Sequence, residues 1–375
     1  MFYKNARIFT KDFTFQLGGF EVTEDGRFQN VLGSIPADAV DLQGATVIPG
    51  LVDVHIHGSM GGDFSDGDAA GLETMARYLC KVGVTSFAPA SMTLPYETLE
   101  KAYANGVSFV AKQLPGCARL MGVNMEGPYF SEKKKGAQNA AYLKNPDFAG
   151  FKKLYDGCGG LIRIVDIAPE LPGAEEFIKQ AKELCTVSIA HTDSDYDHAR
   201  KAYDAGATHL THLYNAMPGI HHRNPGVIPA AAENPNVRAE LICDGLHAHP
   251  SCVRLAFSIF GGSRIVLVSD ALRCCGLADG EYELGGQTVR LSGGIAKLAD
   301  GTIAGAATNL FDAMKNAMAY GISETDAIRA ATYNPACAIG AEAKIGSIEN
   351  GKLADFVVCA CGYSQKRVFL GGKEI

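Results

Sequence analysis

Residues 50–58 read GLVDVHIHG, an apolar run interrupted at every second position by Asp53, His55 and His57 and closed by Gly58. Alternation with a period of two is a strand signal, and it sets both imidazoles on the same face. The chain has only ten histidines in 375 residues, so two on one face of a buried strand call for a reason. Burying ionisable groups together is costly unless a metal or a charged partner compensates them.

Seven further apolar runs follow: TSFAPASM, RLMGVNMEGP, IRIVDIAPE, TVSIAHTD, HLTHLYNAM, RAELICDGLH and RIVLVSDA. Most are separated by helix-length segments. Residues 71–83 carry Leu72, Met75, Ala76, Leu79 and Cys80 at helical spacing, and Ser323 with Asp326 forms a capping box. Eight strands alternating with helices predict an α/β fold, a (β/α)8 TIM-like barrel over residues 50–344. The two chain ends differ in texture from the middle. Short alternating stretches such as Phe13–Gln16 and Phe20–Thr23, and the tail from Ala354 onward, predict a small β-sandwich domain built from residues 1–49 and 345–375. Residues 279–302, DGEYELGGQTVRLSGGIAKLADGT, read as β-hairpins inserted after the eighth strand and expected to pack on that small domain.

With 47% hydrophobic and 20% charged residues, the chain can bury a large core. A net charge of −7 argues against nucleic acid as a partner. The longest basic run, Lys133–Lys135, reads as a solvated loop. MFYKNARIFT lacks the apolar core of a secretory signal, and no apolar stretch reaches bilayer length, so a cytoplasmic protein is expected. Eleven cysteines without a CxxC pair predict small buried hydrophobes rather than disulfides or a zinc knot. The close pairs are Cys274 with Cys275 and Cys359 with Cys361.

The polar residues that end the apolar runs are His55, His57, Glu126, His191, His212, His247 and Asp270. In a parallel barrel all strand C-termini open on one face, so these residues would share one pocket. Glu126, His191 and His212 make one carboxylate and two imidazoles, a set that holds a catalytic divalent ion with a position left open. Asp270 would be a helix cap on a structural reading. Beside a metal site it would be a general acid and base. Arg223, in HHRNPG, is either a solvated loop charge or a phosphate ligand beside His222 and His247, and spacing alone does not choose. His198, His209, His221 and His249 look dispensable.

The strand-end HxH, the later histidines and the Asp on the eighth strand resemble the amidohydrolase superfamily. GSIENGKLADFVV is similar to its return into the small β domain. NMEGPYF, KKKGAQ, AHTD, THLYNAM followed by RNPG, CDGLH, VSDA and DGTIAG stand in the order seen in N-acetylglucosamine-6-phosphate deacetylases, from about Pro49 to Asp355. The resemblance implies a metal-dependent hydrolase that converts N-acetyl-D-glucosamine 6-phosphate to D-glucosamine 6-phosphate and acetate, in amino-sugar catabolism and cell-wall sugar recycling. It implies metal ligands at Glu126, His191 and His212, acid/base catalysis by Asp270, and sugar-phosphate contacts at Ala137, Gln138, Asn215, Ala216, Arg223, His247, Ile303, Ala304 and Gly305. It also implies a homodimer in which Arg223 reaches the neighbouring subunit's site. IRIVDIAPE lacks the bridging Lys frequent in the superfamily, and Glu126 takes that place, as in these deacetylases. Gln138 stands where many members have His, so its carbonyl-polarising role is open. His55 and His57 either hold a second ion or are packed strand-end histidines. Zinc or iron, and also cobalt or manganese, suit the ligands. A dihydroorotase-like or aminoacylase-like activity is the alternative enzyme reading, and a metal-free assembly protein the non-enzymatic one.

Overall fold

All eight apolar runs form strands in the computed structural model, which describes residues 1–375 except Cys361. They are β1 (Leu51–Asp53), β2 (Val84–Phe87, continued at Ala90–Ser91), β3 (Val123–Tyr129), β4 (Ile162–Ile167), β5 (Thr186–Ile189), β6 (His209–Leu210), β7 (Arg238–Ile242) and β8 (Ile265–Val268). Each pairs in parallel with the next in sequence, with Arg119–Leu120 helping to join β2 to β3. The sheet curls until its ends approach. Asp270, just after β8, donates its backbone N–H to the His55 carbonyl at 2.9 Å, and the His57 and Gly58 N–H groups donate to Ala271 at 2.9 Å.

Helices α1 (Ala69–Lys81), α2 (Tyr96–Lys112), α3 (Phe148–Gly157), α4 (Ala174–Ala181), α5 (Tyr196–Ala205), α6 (Val227–Glu233) and α7 (Pro250–Phe260) make the crossovers. The periodicity expected in α1 is the face it buries: Leu72, Met75, Ala76, Leu79 and Cys80, with Asp68 capping the first turn through Gly71. Each large apolar side chain so buried contributes about 1.5–3 kcal/mol. Because helices cover its outside, β8 is buried along its whole length and reads as a continuous apolar run. Ser323 accepts from the Asp326 N–H at 3.1 Å, as the capping-box reading expects.

Strands from both chain ends join one mixed sheet, in the order Lys373–Glu374, Gln365–Leu370, Phe356–Ala360, Thr46–Pro49, Phe2–Phe9, Phe15–Val22, Phe28–Gln29, with Val40–Asp41 beside Phe2–Phe9. One face carries its own aromatic core of Tyr3, Phe20, Phe28, Phe356 and Phe369. The other face adds Phe9, Ile48, Val357 and Val368 to the main core. The two glycines at 18 and 19 suggest a break, yet one strand runs through them. A Cβ on Gly19 would stand 2.2 Å from the Tyr3 carbonyl oxygen, so the glycine permits close strand approach rather than a turn.

The insertion forms an antiparallel four-stranded sheet, Gly280–Leu284, Gln287–Ser292, Ile295–Leu298 and Ile303–Ala306. It does not pack on the small sheet, as the sequence reading expected. Its apolar residues Leu284, Val289, Leu291, Ala296 and Leu298 pack instead with Met92, Ala137, Leu272 and Cys274, at the C-terminal ends of the parallel strands. The physical reason is the alternation in Gln287–Ser292, which gives one apolar face, and the matching apolar surface lies on those loops. None of the ten described cysteines is in a disulfide; the Cys359–Cys361 pair falls partly outside the described residues. No helix among the described residues is long and apolar enough to cross a membrane.

Candidate metal centre and substrate pocket

Glu126 is the hub. One of its carboxylate oxygens lies 3.0 Å from His191 Nε2, 3.4 Å from His212 Nε2 and 3.5 Å from His55 Nε2. The other lies 3.2 Å from His57 Nε2. His191 and His212 bring their Nε2 atoms within 3.1 Å of each other. Two groups able to hold a metal result, Glu126 with His191 and His212, and His55 with His57 and Glu126. The carboxylate is common to both, an arrangement suited to bridging two ions.

For His191 the remote ring nitrogen explains the aim of the near one. His191 donates through Nδ1 to the Lys134 carbonyl at 2.9 Å, so Nε2 is the nitrogen that faces Glu126. The lysine triplet read as a solvated loop therefore also supplies a backbone anchor: Lys133 is exposed and pairs with Asp193, while the Lys134 carbonyl turns inward. His55 Nε2 is buried without a hydrogen-bond partner. An orphaned imidazole nitrogen facing a carboxylate is what a cation site looks like without its ion, so the residues fit a divalent metal.

The electrostatics agree. Burial would raise the Glu126 pKa, but His55, His191 and His212 hold it well below the usual carboxylate range. Burial works against the His57 imidazolium, yet Asp270 and Glu126 outweigh it and lift its pKa to about 10. Desolvation pushes the Asp53 carboxyl, below the site, up to about 7. A pocket rich in protons and carboxylates is one in which a cation would displace the protons.

Asp270 sits across from this pair, 3.3 Å from His57 Nε2 and 3.6 Å from His55 Nε2. It caps no helix. The cavity above it, about 160 Å³, is lined by His57, Met92, Glu126, Gly136, Ala137, Gln138, His191, His212, Asn215, Ala216, His247, Asp270, Thr302 and Ile303–Gly305. Eight of the nine residues expected to touch a sugar phosphate are thus brought together. Arg223 is not. It lies exposed in the loop before α6, its guanidinium 2.7 Å from His222 Nε2, and does not line the cavity above Asp270.

Gln138 is pinned at both ends. Its Oε1 accepts from the Thr93 N–H at 2.8 Å, and its Nε2 donates to Glu126 at 2.8 Å. One amide N–H is thus committed to Glu126, which leaves the second as an uncharged donor on a residue that lines the cavity. His247 is held by Asp244 at 2.7 Å; burial disfavours its imidazolium, but that hydrogen bond raises its pKa above the ordinary value.

Sequence reasoning missed Glu240, Met92 and Thr302. Glu240 is completely buried on β7 and touches His55, His209 and the His212 backbone. A charge inside the apolar run RAELI was the signal. His209, read as dispensable, is a buried partner of Glu240, and its position at the start of a strand hid that role.

The curled parallel sheet and its strand-end His and Glu cluster define a hydrolase class in which metal ligands come from several strand ends. The chain belongs to the amidohydrolase family, whose model matches residues 46–375. Within that family, it is similar to N-acetylglucosamine-6-phosphate deacetylases. It is 38% identical to that of Bacillus subtilis over 86% of this chain and 81% of the relative. It is also 32% identical to N-acetylgalactosamine-6-phosphate deacetylase of Escherichia coli O157:H7, over 90% of each chain. An aspartate-to-alanine variant of the Mycobacterium smegmatis N-acetyl-D-glucosamine-6-phosphate deacetylase, in complex with N-acetyl-D-glucosamine-6-phosphate, superposes with a TM-score of 0.93 at 31% identity, covering 100% of this chain and 98% of that one.

Proposed function

We propose that this chain is a metal-dependent N-acetyl-D-glucosamine 6-phosphate deacetylase, releasing acetate and D-glucosamine 6-phosphate. The observation that carries the reading is the convergence of Glu126, His191 and His212 with Asp270 beneath a cavity walled by Gln138, Asn215, His247 and Ile303–Gly305. Glu126, His191 and His212 would hold one divalent ion, zinc or iron before cobalt or manganese, and His55 and His57 with Glu126 a second. When bound, the cation supplies Lewis-acid polarisation of the amide carbonyl and lowers the pKa of water.

The chain's own residues do the rest. Asp270 takes the proton of the attacking water and delivers it to the departing amine. Gln138 offers an N–H to the oxyanion that develops on the acetyl carbonyl. Asn215, Ala216, His247 and the Ile303–Gly305 strand hold the sugar phosphate, so that binding energy remote from the amide orients it. Arg223 would complete the phosphate site from the second subunit of a homodimer, which fits its exposure and its absence from the lining of its own cavity.

We read the curled sheet as a closed (β/α)8 barrel over residues 50–344, and residues 1–49 with 345–375 as a small β domain, on the strength of their separate aromatic core. The ten described cysteines, unpaired and mostly buried, fit a cytoplasmic setting. Acetate release should be faster on N-acetylglucosamine 6-phosphate than on N-acetylglucosamine, and equal rates on the two sugars would overturn the phosphate reading. The E. coli relative makes the 4-epimer, N-acetylgalactosamine 6-phosphate, the informative competitor.

A further inference from the structure

Beneath the pocket lies a buried group that the mechanism does not use. Glu240 is wholly inaccessible, and all of its carboxylate contacts are with donors. One oxygen lies 2.9 Å from His55 Nδ1 and 3.1 Å from the His212 backbone N–H. The other lies 3.1 Å from His209 Nε2. Both metal-binding groups are therefore tied to one side chain: the first through the backbone of His212, the second through the ring of His55.

The consequence for His55 follows from its two nitrogens. A carboxylate facing Nδ1 keeps the ring proton on that atom, which leaves the Nε2 lone pair outward. Nε2 has no hydrogen-bond partner and stands 3.5 Å from Glu126 and 3.6 Å from Asp270. Ring rotation is blocked as well, since turning the imidazole would exchange the Glu240 contact for an unpaired buried nitrogen. His209 in turn clamps the far oxygen, so the carboxylate plane is set by a residue outside both groups.

We propose that Glu240, held by His209, is a positioning residue that fixes the tautomer and aim of His55 and so governs occupancy of the second ion, the one bound by His55, His57 and Glu126. The inference rests on the two-ion reading of the site. An amide at position 240 cannot accept from all three donors, because its nitrogen donates.

The test is a zinc titration of the full chain, stripped by chelator and read as metal bound per chain, with a parallel cobalt titration read by visible absorption. Wild-type protein should take up two ions. Glu240→Gln should retain the first ion and bind the second roughly 10–100-fold more weakly. His209→Leu, which keeps the carboxylate and removes the only donor on its far oxygen, should weaken the second ion less and leave the first unchanged. It also supplies the answer if Glu240→Gln does not fold. Wild-type protein that saturates at one ion would overturn the two-ion reading, and the inference with it. Two ions in wild type, bound with undiminished affinity in Glu240→Gln, or in His209→Leu where that is the folded variant, would overturn the role of Glu240 alone.

Discussion

At the scale of residues, Asp270 and Gln138 carry distinct duties. Asp270 faces His57 at 3.3 Å without donating or accepting in any helix cap. Asp270→Asn keeps the shape and removes the proton acceptor, so kcat should fall about 10²–10⁴-fold while bound metal stays as in wild type. Steady-state acetate release with metal analysis checks this, and a variant within a few-fold of wild type would remove Asp270 from the mechanism. Gln138→Ala should cost about 10²–10³ in kcat, because it removes the amide N–H not committed to Glu126, on a side chain that Thr93 and Glu126 hold in place. Most of this site was legible because Glu126, His191, His212 and Asp270 each terminate an apolar run, where a polar residue has no packing purpose. Glu240 escaped because it lies inside its run, and only the fold shows that His55 and His209 surround it.

At the scale of elements, Glu126 lies within β3, while His191, His212 and Asp270 sit where strands turn into loops. His191, His212 and Asp270 have φ of 43°, 28° and 49°, left-handed values that side chains rarely adopt and that cost of order 1–3 kcal/mol each. The surrounding bonds hold them there. Ala306 donates to the Asp270 carbonyl at 2.8 Å, so the inserted sheet braces the catalytic strand end. A Cβ on Gly305, whose φ is 155°, would meet that same carbonyl at 2.9 Å and Leu272 at 2.8 Å. Gly305→Ala should therefore lower stability by about 1–3 kcal/mol and reduce kcat, read by urea unfolding and acetate release. A variant with unchanged kcat would mean that the insertion does not brace Asp270. The strands and α1 were readable from periodicity. The docking of the insertion was not, because alternation reports that a face is apolar and leaves open which surface meets it.

At the scale of the whole molecule, the loop carrying Arg223 is the part of the expected site that its own chain leaves unused. If the loop serves a second subunit, Arg223→Ala should raise KM for the sugar phosphate strongly. Mixed Arg223→Ala and Asp270→Asn chains should then regain activity that neither has alone, since the hybrid assembles one intact site. No recovery from a mixture shown to exchange subunits would confine each site to its own chain. The order of eight strands was written in the sequence, whereas the joining of both chain ends into one sheet depends on pairings between residues some 310 apart, such as Val47 with Val358. Amide hydrolysis at the Glu126, His191 and His212 centre should depend on a bound divalent metal. Acetate release from N-acetylglucosamine 6-phosphate should vanish on removal of metal and return when zinc or iron is restored, but not in Glu126→Gln, His191→Asn or His212→Asn. Undiminished acetate release by metal-free protein, or none from the restored wild type, would contradict the account.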